Sequence, residues 1–318
     1  MVSNLTYSSE YHTPVLVAEV LEYLAVKPGG RYLDATLGGG GHTQAILDLS
    51  APTGQVVSID RDPEAHEQAR QRLSGYQGRF ELVLGNYRDA PDLVEGKFDG
   101  MLLDAGVSSH QLDEAARGFS FREEGPLDMR MGPDAPRLDE WLGVVEEEEL
   151  ANALFHYGEI KASRRLAAAI KMDFAAGKLK TTQDLAQMCQ RVLGGSGARR
   201  KTQIHPATLV FQALRIALND ELRGLERAVA SIPELVKPGG RAVLISFHSL
   251  EDRIVKQGFK ELAGENEEVD PVLRKLGMEK SKPEKVKILT RRPVEAGPDE
   301  VAANPRSRSA KLRAVEVL

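Results

Sequence analysis

Short apolar runs alternate with amphipathic stretches along the first third of the chain. The runs at 32–35, 55–59, 80–84 and 98–103 have the length and composition of buried strands. Between them lie segments such as Pro63 to Leu73, whose apolar residues recur every three or four positions, as in a helix. This succession of strands and helices predicts a doubly wound α/β fold with a mostly parallel sheet.

The alternation stops after the fourth strand. The middle of the chain is polar loop followed by helical segments, and it contains no clear strand pattern. We therefore predict an inserted helical domain at 113–205, which would leave a discontinuous α/β core formed by 1–112 and 206–318. We expect the insertion to recognise the substrate.

The last third returns to the α/β pattern. A long helix is predicted from His205, and its apolar spacing indicates packing along the sheet. Further apolar runs at 242–247, 285–290 and 312–317 predict three more strands, for about seven in all. The fifth strand would bring His248 to the same sheet edge as the strands before it.

The composition is that of an ordinary globular protein, with 318 residues, 42% of them hydrophobic and 28% charged. The single cysteine, Cys189, excludes an internal disulfide and a cysteine-based zinc cluster, and its helical spacing favours a place in the core. No signal sequence and no apolar stretch of membrane-spanning length is present. We expect a cytoplasmic protein without a metal site and without a membrane partner.

Charge is unevenly distributed, although the net charge is only −5. The segment 113–149 has 12 acidic and 4 basic residues, whereas 160–205 has 10 basic and 2 acidic residues. A second basic region, 273–318, has 12 basic and 6 acidic residues. This segregation suits a protein that presents a basic face to a polyanion, while solvated helix faces would give the same pattern.

The segment L-D-A-T-L-G-G-G-G-H at 33–42 carries the most informative pattern. It predicts a strand, a glycine-rich turn at Gly38 to Gly41, and a helix. Glycines let the backbone approach a ligand closely, and the N–H groups at the helix start point toward it. The next strand ends at Asp60, about 20 residues further on, where a carboxylate can bind a ribose diol.

Dinucleotides and S-adenosylmethionine are the two ligand classes that use this layout. The packed glycines lack the G-x-G-x-x-G spacing of a dinucleotide site, and Asp34 stands at the end of the preceding strand. A carboxylate there would repel a pyrophosphate, but it suits a ligand that carries an ammonium and a sulfonium. The local chemistry therefore favours S-adenosylmethionine.

Several longer motifs resemble one known family. They are H-T-P-V-L at 12–16, D-A-T-L-G-G-G-G-H, S-I-D-R-D-P, L-L-D-A-G-V-S-S, R-G-F-S-F, G-P-L-D-M-R-M, H-P-A-T-L-V-F-Q-A-L-R-I, I-S-F-H-S-L-E-D-R-I-V-K and N-P-R-S-R-S-A-K-L-R near the end. Together they span nearly the whole chain. The sequence resembles the bacterial MraW (RsmH) family of class I, Rossmann-like methyltransferases, which methylate the N4 amine of a cytidine in small-subunit 16S ribosomal RNA with S-adenosylmethionine.

The resemblance implies a set of cofactor contacts. With the turn residues already considered, the predicted cofactor-binding residues are Asp34, Gly38, Gly40, Gly41, His42, Asp60, Tyr87, Asp104 and Gln111. Tyr87 stands where the family usually has phenylalanine, which should preserve stacking on a base. His110 replaces an expected proline, which removes a rigid residue from the loop that carries Gln111.

Methylation of a cytosine amine needs a group that weakens the conjugation of N4 and a route for its proton. Amine methyltransferases often use an Asp/Asn-Pro-Pro-Tyr loop after the fourth strand, but this chain has Asp104-Ala105-Gly106-Val107 there. Asp104 and His248 are the predicted catalytic residues, and the sequence does not decide between them.

The acceptor must be unpaired or flipped out of a helix to reach such a site. The predicted RNA-binding residues are Arg199, Arg200, Lys201, Arg306 and Arg308. Methylation of another acceptor, such as a ribose 2′-hydroxyl, and a non-catalytic role in ribosome assembly are the alternatives. The sequence leaves open whether the chain acts as a monomer or a homodimer.

Overall fold

The computed structural model describes residues 7–9, 13–194, 205–265 and 283–318. Eight strands in this part of the chain form one sheet. They are β1 (Arg31–Asp34), β2 (Gln55–Asp60), β3 (Phe80–Leu84), β4 (Phe98–Asp104), β5 (Val236–Ser246), β6 (Val286–Ile288), β7 (Val294–Glu295) and β8 (Lys311–Val317). The predicted doubly wound, mostly parallel sheet is confirmed. The prediction of seven strands missed β7, because two residues are too few to show a periodic pattern.

The sheet has the order β3-β2-β1-β4-β5-β8-β6, with β7 paired to β8. The strands from β3 to β5 are parallel, whereas β8 runs antiparallel to β5, β6 and β7. The chain moves outward from β1 to β3 and then returns to place β4 on the other side of β1. Ligands bind in open α/β sheets at the carboxyl ends of the strands where the order reverses in this way.

The contacts divide the chain into two compact units, 1–106 with 222–318, and 107–221. The first unit contains the sheet and, among its described residues, the helices α1 (Val17–Leu24), α2 (Gly41–Leu49), α3 (Pro63–Arg72), α4 (Ala90–Leu93), α11 (Glu221–Ala230, from its second residue), α12 (Ile232–Leu235), α13 (Ser249–Leu262) and α14 (Pro298–Ala303). Two apolar clusters in this unit contain the inward side chains of the strands and of the helices that cover them.

The second unit is helical in its described part. Its helices are α5 (Ser109–Asp113), α6 (Leu138–Val144), α7 (Glu147–Gly158), α8 (Ser163–Ala175), α9 (Thr182–Leu193) and α10 (Pro206–Asn219). They share one apolar core, which includes Cys189. The thiol of Cys189 is fully buried, and burial raises its pKa to about 12. The predicted core position of this cysteine is confirmed.

The boundaries of this helical unit differ from the predicted 113–205. The single long helix expected after His205 is two helices, because Asp220 takes a left-handed conformation with φ of 51° between α10 and α11. The buried side chains of α10 belong to the helical core, whereas Leu225 and Val229 of α11 pack on the sheet. The expectation that the whole segment lies along the sheet was wrong for its first half, since periodicity shows an apolar face but not its partner.

Candidate active site

Three strands of the first unit end in an aspartate at the same edge of the sheet. Asp34 is the last residue of β1, Asp60 of β2 and Asp104 of β4. The neighbouring β5 ends at Ser246 and is followed closely by His248. The structure therefore brings these four predicted residues to the carboxyl ends of parallel strands, around the point where the strand order reverses.

The glycine-rich turn connects β1 to α2 and contacts the end of β2. The N–H of Gly38 donates to Asp60 Oδ2 at 2.8 Å, and Gly38 and Gly40 have φ of 49° and 73°. A β-carbon on Gly41 would lie 2.8 Å from a ring carbon of Pro14. The turn therefore requires glycine both for backbone conformation and for space.

Asp34 is fully buried at the end of β1. Its carboxylate accepts hydrogen bonds from the Thr43 hydroxyl at 2.6 Å and from the Thr36 N–H at 3.2 Å. Burial, which outweighs these hydrogen bonds, raises the pKa of Asp34 to about 7. A buried carboxyl of this kind is prepared for a cationic ligand, because a nearby positive charge would stabilise its ionised form.

Asp60 is partly exposed, and its carboxylate is held by two backbone donors. Oδ2 accepts from Gly38 and Oδ1 accepts from the N–H of Asp62 at 2.9 Å. Burial raises the pKa of this carboxyl, although both hydrogen bonds favour the ionised form. The two contacts fix the orientation of the side chain beside the glycine turn, which suits a carboxylate that binds a ribose diol.

His42 joins the glycine turn to the end of β4. Its Nε2 donates to the Val15 carbonyl at 2.8 Å, and its Nδ1 lies 3.8 Å from Asp104 Oδ2. Burial lowers the pKa of His42 to about 4, so the ring is neutral and Nδ1 faces Asp104 as a lone pair. His42 therefore positions the turn and does not supply a positive charge to Asp104.

Asp104 has an unsatisfied oxygen. Its Oδ1 is buried and accepts no hydrogen bond in the described structure. Burial raises the pKa of Asp104 well above its ordinary range, and the carboxylates of Asp34 and Glu251 raise it further. A buried oxygen without a partner is costly unless a ligand completes it, so Asp104 is the clearest sign of a binding site at this edge.

His248 caps the N-terminus of α13. Its Nδ1 accepts the N–H of Glu251, and Glu251 Oε2 accepts the N–H groups of Phe247 and His248. The imidazole Nε2 is buried and lies 3.1 Å from Glu251 Oε1, without the alignment of a hydrogen bond. In the neutral ring Nδ1 is the acceptor, so Nε2 carries the proton. This arrangement makes Nε2 a donor.

Two further predicted cofactor residues lie in different units. Tyr87 is half-buried in a short 3₁₀ helix just after β3, and Gly224 of α11 faces its ring. Gln111 belongs to the helical unit, where its Oε1 accepts the N–H of Ser108 at 3.0 Å and its own N–H donates to the Ser108 hydroxyl. The structure thus groups Tyr87 with the residues at the sheet edge, and it gives Gln111 a capping role at the start of α5.

The predicted RNA-binding residues are only partly described. Arg199, Arg200 and Lys201 lie outside the described residues. Arg308 is exposed and Arg306 is half-buried in a short 3₁₀ helix that precedes β8. The described helices include none long and apolar enough to cross a membrane, and the described residues include no group of three or more acidic, histidine or cysteine side chains arranged to hold a metal.

Glu251 is a residue of this sheet edge that sequence reasoning missed. It is 2% exposed, and it connects His248 to Phe247 and raises the pKa of Asp104. The available signal was its position three residues after His248 at the start of a helix, which is the spacing of a capping box.

Known proteins resemble this chain over nearly all of its length. The model of the MraW methylase family matches residues 9–318. A ribosomal RNA small subunit methyltransferase H from Geobacter sulfurreducens is 46% identical over 96% of this chain and 99% of its own length. A protein of the same name from Thermomicrobium roseum is 45% identical over 97% of this chain and 94% of its own length. Among solved structures, the N-methyltransferase NodS from Bradyrhizobium japonicum is 8% identical to this chain, with a TM-score of 0.39. The match covers 95% of this chain and 93% of the NodS chain. The chain therefore belongs to the MraW methylase family.

Proposed function

We propose that this enzyme transfers a methyl group from S-adenosylmethionine to the N4 amine of a cytidine in 16S ribosomal RNA. The observation that carries the proposal is the Oδ1 of Asp104, which is buried and has no partner among the described residues, in a methylase-family chain whose glycine turn is bound by Asp60. The relatives are named as small-subunit ribosomal RNA methyltransferases. Such an enzyme works in the cytoplasm, where ribosomal subunits are assembled.

The residues at the sheet edge fit this cofactor. S-adenosylmethionine supplies an electrophilic methyl group on a sulfonium, together with an ammonium, a ribose diol and an adenine. Asp34 and Asp104 offer carboxylates to its positive groups, and Asp60 offers a fixed carboxylate to the diol. Gly38, Gly40, Gly41 and His42 form the backbone of the turn, and Tyr87 provides an aromatic face. By the family resemblance, Gln111 is the remaining proposed cofactor residue.

Asp104 is the better of the two candidates for the catalytic step. Removal of a proton from N4, or polarisation of its N–H, needs an acceptor, and Asp104 Oδ1 is a buried acceptor without a partner in the described structure. His248 has its Nδ1 occupied by the Glu251 N–H, which leaves a donor at Nε2. We therefore propose Asp104 as the acceptor for the N4 proton and His248 as a positioning residue.

Methyl transfer is an in-line displacement, so the protein accelerates it mainly by holding the acceptor in line with the methyl group. We propose that the helical unit 107–221 and the basic residues Arg199, Arg200, Lys201, Arg306 and Arg308 hold the RNA for this purpose. Replacement of Arg199, Arg200 and Lys201 together by alanine should weaken RNA binding and reduce its salt dependence, with cofactor affinity unchanged.

The test is methylation of small ribosomal subunits and of free 16S RNA from cells that lack this enzyme. Purified protein is incubated with methyl-labelled S-adenosylmethionine, and the RNA is digested for nucleoside analysis. We expect label in N4-methylcytidine, lost in Asp60→Ala and retained in Asp99→Asn, because Asp99 lies near the start of β4, at the opposite end of that strand from Asp104. Label on a ribose would mean that the acceptor is a 2′-hydroxyl and not the N4 amine. Cofactor binding without labelled nucleoside would indicate a non-catalytic assembly factor.

The quaternary structure is a separate part of the proposal. Light scattering of the purified enzyme, with and without cofactor, measures its mass in solution and so distinguishes a monomer from a homodimer.

A further inference from the structure

A groove of about 560 Å³ lies on the helical unit. It is lined by an aromatic pair and by polar side chains of α9, namely Phe121, Gln183, Gln187, Gln190, Arg191 and His205. All of these residues belong to the helical unit. None of them has a role in the cofactor site described above.

The aromatic side of the groove consists of Phe121 and His205. Their ring centroids are 4.9 Å apart with a tilt of 37°, and Phe121 meets the buried ring of Phe211 edge-on at 5.0 Å. Phe121 is thus fixed against the core while remaining half-exposed. A fixed and partly exposed aromatic ring next to a second flat ring is suited to stacking on a planar group.

The imidazole of His205 is oriented by its own helix. Its Nδ1 accepts the N–H of Ala207 at 3.2 Å, at the N-terminus of α10. In the neutral ring the remaining proton is therefore on Nε2. The side chain is exposed, so this N–H is available to an acceptor on a ligand.

The lining of the groove also includes three glutamines on one face of α9. Gln183, Gln187 and Gln190 have spacings of four and three residues, while Leu185 and Cys189 of the same helix are buried. In the described part of the chain none of the three side-chain amides makes a hydrogen bond. Each amide offers a donor and an acceptor side by side, which is the pattern that matches the edge of a nucleobase.

Arg191 gives the lining of the groove a positive charge. It pairs with the buried carboxylate of Asp173, and Lys178 lies 3.8 Å from the same carboxylate. The Arg191 side chain is 62% exposed, so its guanidinium can also meet a phosphate group. Single-stranded RNA is recognised by stacking on aromatic rings, by hydrogen bonds to base edges and by nearby positive charge.

We infer that this groove binds an unpaired nucleobase of the RNA substrate, with its ring stacked on Phe121 and His205 and its edge bound by Gln183 and Gln187. The inference rests on the proposed function in so far as the substrate is RNA. It assigns a base-binding subsite to the helical unit.

The experiment measures binding of a fluorescent, unstructured RNA oligonucleotide to the full-length protein. Phe121→Leu should weaken binding by about 5- to 150-fold, the loss of one stacked base. Gln183→Ala with Gln187→Ala should weaken it less, and these surface changes leave the helical core intact. The matched control is Gln68→Ala with Gln77→Ala, which removes two exposed glutamines from the other unit.

The salt dependence separates base binding from charge. The groove variants should lower affinity at every salt concentration without changing the slope of log affinity against log salt, because they remove no phosphate contact. Affinity equal to that of the control variant would overturn the inference. The inference would also be overturned if the groove variants lost affinity and changed the slope of log affinity against log salt, because the groove would then bind phosphates.

The outcome is independent of the methylation assay. If the parent enzyme methylates cytidine while the groove variants bind RNA normally, the subsite is wrong and the proposed function stands. If the groove variants lose RNA binding while the parent enzyme yields no N4-methylcytidine, the subsite stands and the proposed function is wrong.

Discussion

Replacement of Asp34 by asparagine should make the cofactor-free protein more stable at neutral and alkaline pH. The asparagine would keep the shape of the side chain and remove its charge. The neighbouring polar groups can adapt, because the Thr43 hydroxyl lies 2.9 Å from Ser58 Oγ and can donate there while it accepts from the new amide. The Thr36 N–H would keep an oxygen acceptor.

The magnitude follows from the pKa of Asp34, which burial raises from 3.8 to about 7. The native state then binds its proton more tightly than the unfolded state, so the free energy of unfolding falls as the pH rises between these two values. Each pKa unit corresponds to about 1.4 kcal/mol. The full penalty is about 4 kcal/mol well above pH 7, and about 3 kcal/mol of it develops between pH 5 and pH 8.

Urea unfolding of the parent and the variant at several pH values from 5 to 8 measures this difference. The gain in stability from Asp34→Asn should grow by about 3 kcal/mol across the range. Asp99→Asn is the matched control, because Asp99 pairs with Lys237 and accepts the Arg31 N–H, and its pKa is lowered. The Asp99 carboxylate stops stabilising the fold only at lower pH, so the stability difference between parent and Asp99→Asn should not change from pH 5 to pH 8. A gain from Asp34→Asn that does not change with pH would refute the reasoning.

Three other substitutions test the site and the sheet. Gly40→Ala should reduce stability by about 1 kcal/mol more than Gly78→Ala, measured by urea unfolding, because both have positive φ but only Gly40 has a neighbour 3.3 Å from the added carbon. Arg313→Met should lower the free energy of unfolding by about 3 kcal/mol, because it leaves the aspartate of a largely buried ion pair uncompensated. Arg241→Met removes a half-exposed ion pair and should lower the free energy of unfolding by less than about 1 kcal/mol. Cofactor affinity, followed by calorimetry, should fall as the pH drops below the raised pKa of Asp104, and Asp104→Asn should weaken that dependence and leave the part due to Asp34. Equal losses within a pair of variants, or a pH profile unchanged by Asp104→Asn, would contradict these expectations.

The positions of the strands and of the glycine turn could be predicted well because they depend on local patterns. Phe80–Leu84 forms β3 as predicted, and the turn after β1 has the positive φ values that its glycines indicated. The start of α1 shows the limit of local patterns. Thr13 followed by Pro14 is typical of a helix cap, but the helix begins after Leu16, which has φ of 53° and no side-chain cap. Cap residues are a weak signal where other contacts fix the entering chain, as the Glu300 carboxylate does by accepting the Leu16 N–H.

The segment K-P-G-G at 237–240 shows the same limit. Its composition is typical of a turn, whereas these residues lie inside β5 at an irregularity of its pairing with β4. Gly239 has φ of 78°, and a β-carbon on Gly240 would lie 2.8 Å from the Asp99 carbonyl. The need for glycine at Gly240 therefore depends on the neighbouring strand.

The sequence by itself determined the α/β class, the glycine turn, the acidic residues at the strand ends and the membership of a methylase family. These features follow from periodicity, from backbone chemistry and from motifs that are contiguous in the chain. The three-dimensional contacts were needed to show that Asp104 Oδ1 is buried without a partner among the described residues, that Glu251 fixes His248 as a donor, and that α10 belongs to the helical core. Each of these depends on the desolvation of a side chain and on contacts with residues far away in the chain, which no local pattern of residues specifies.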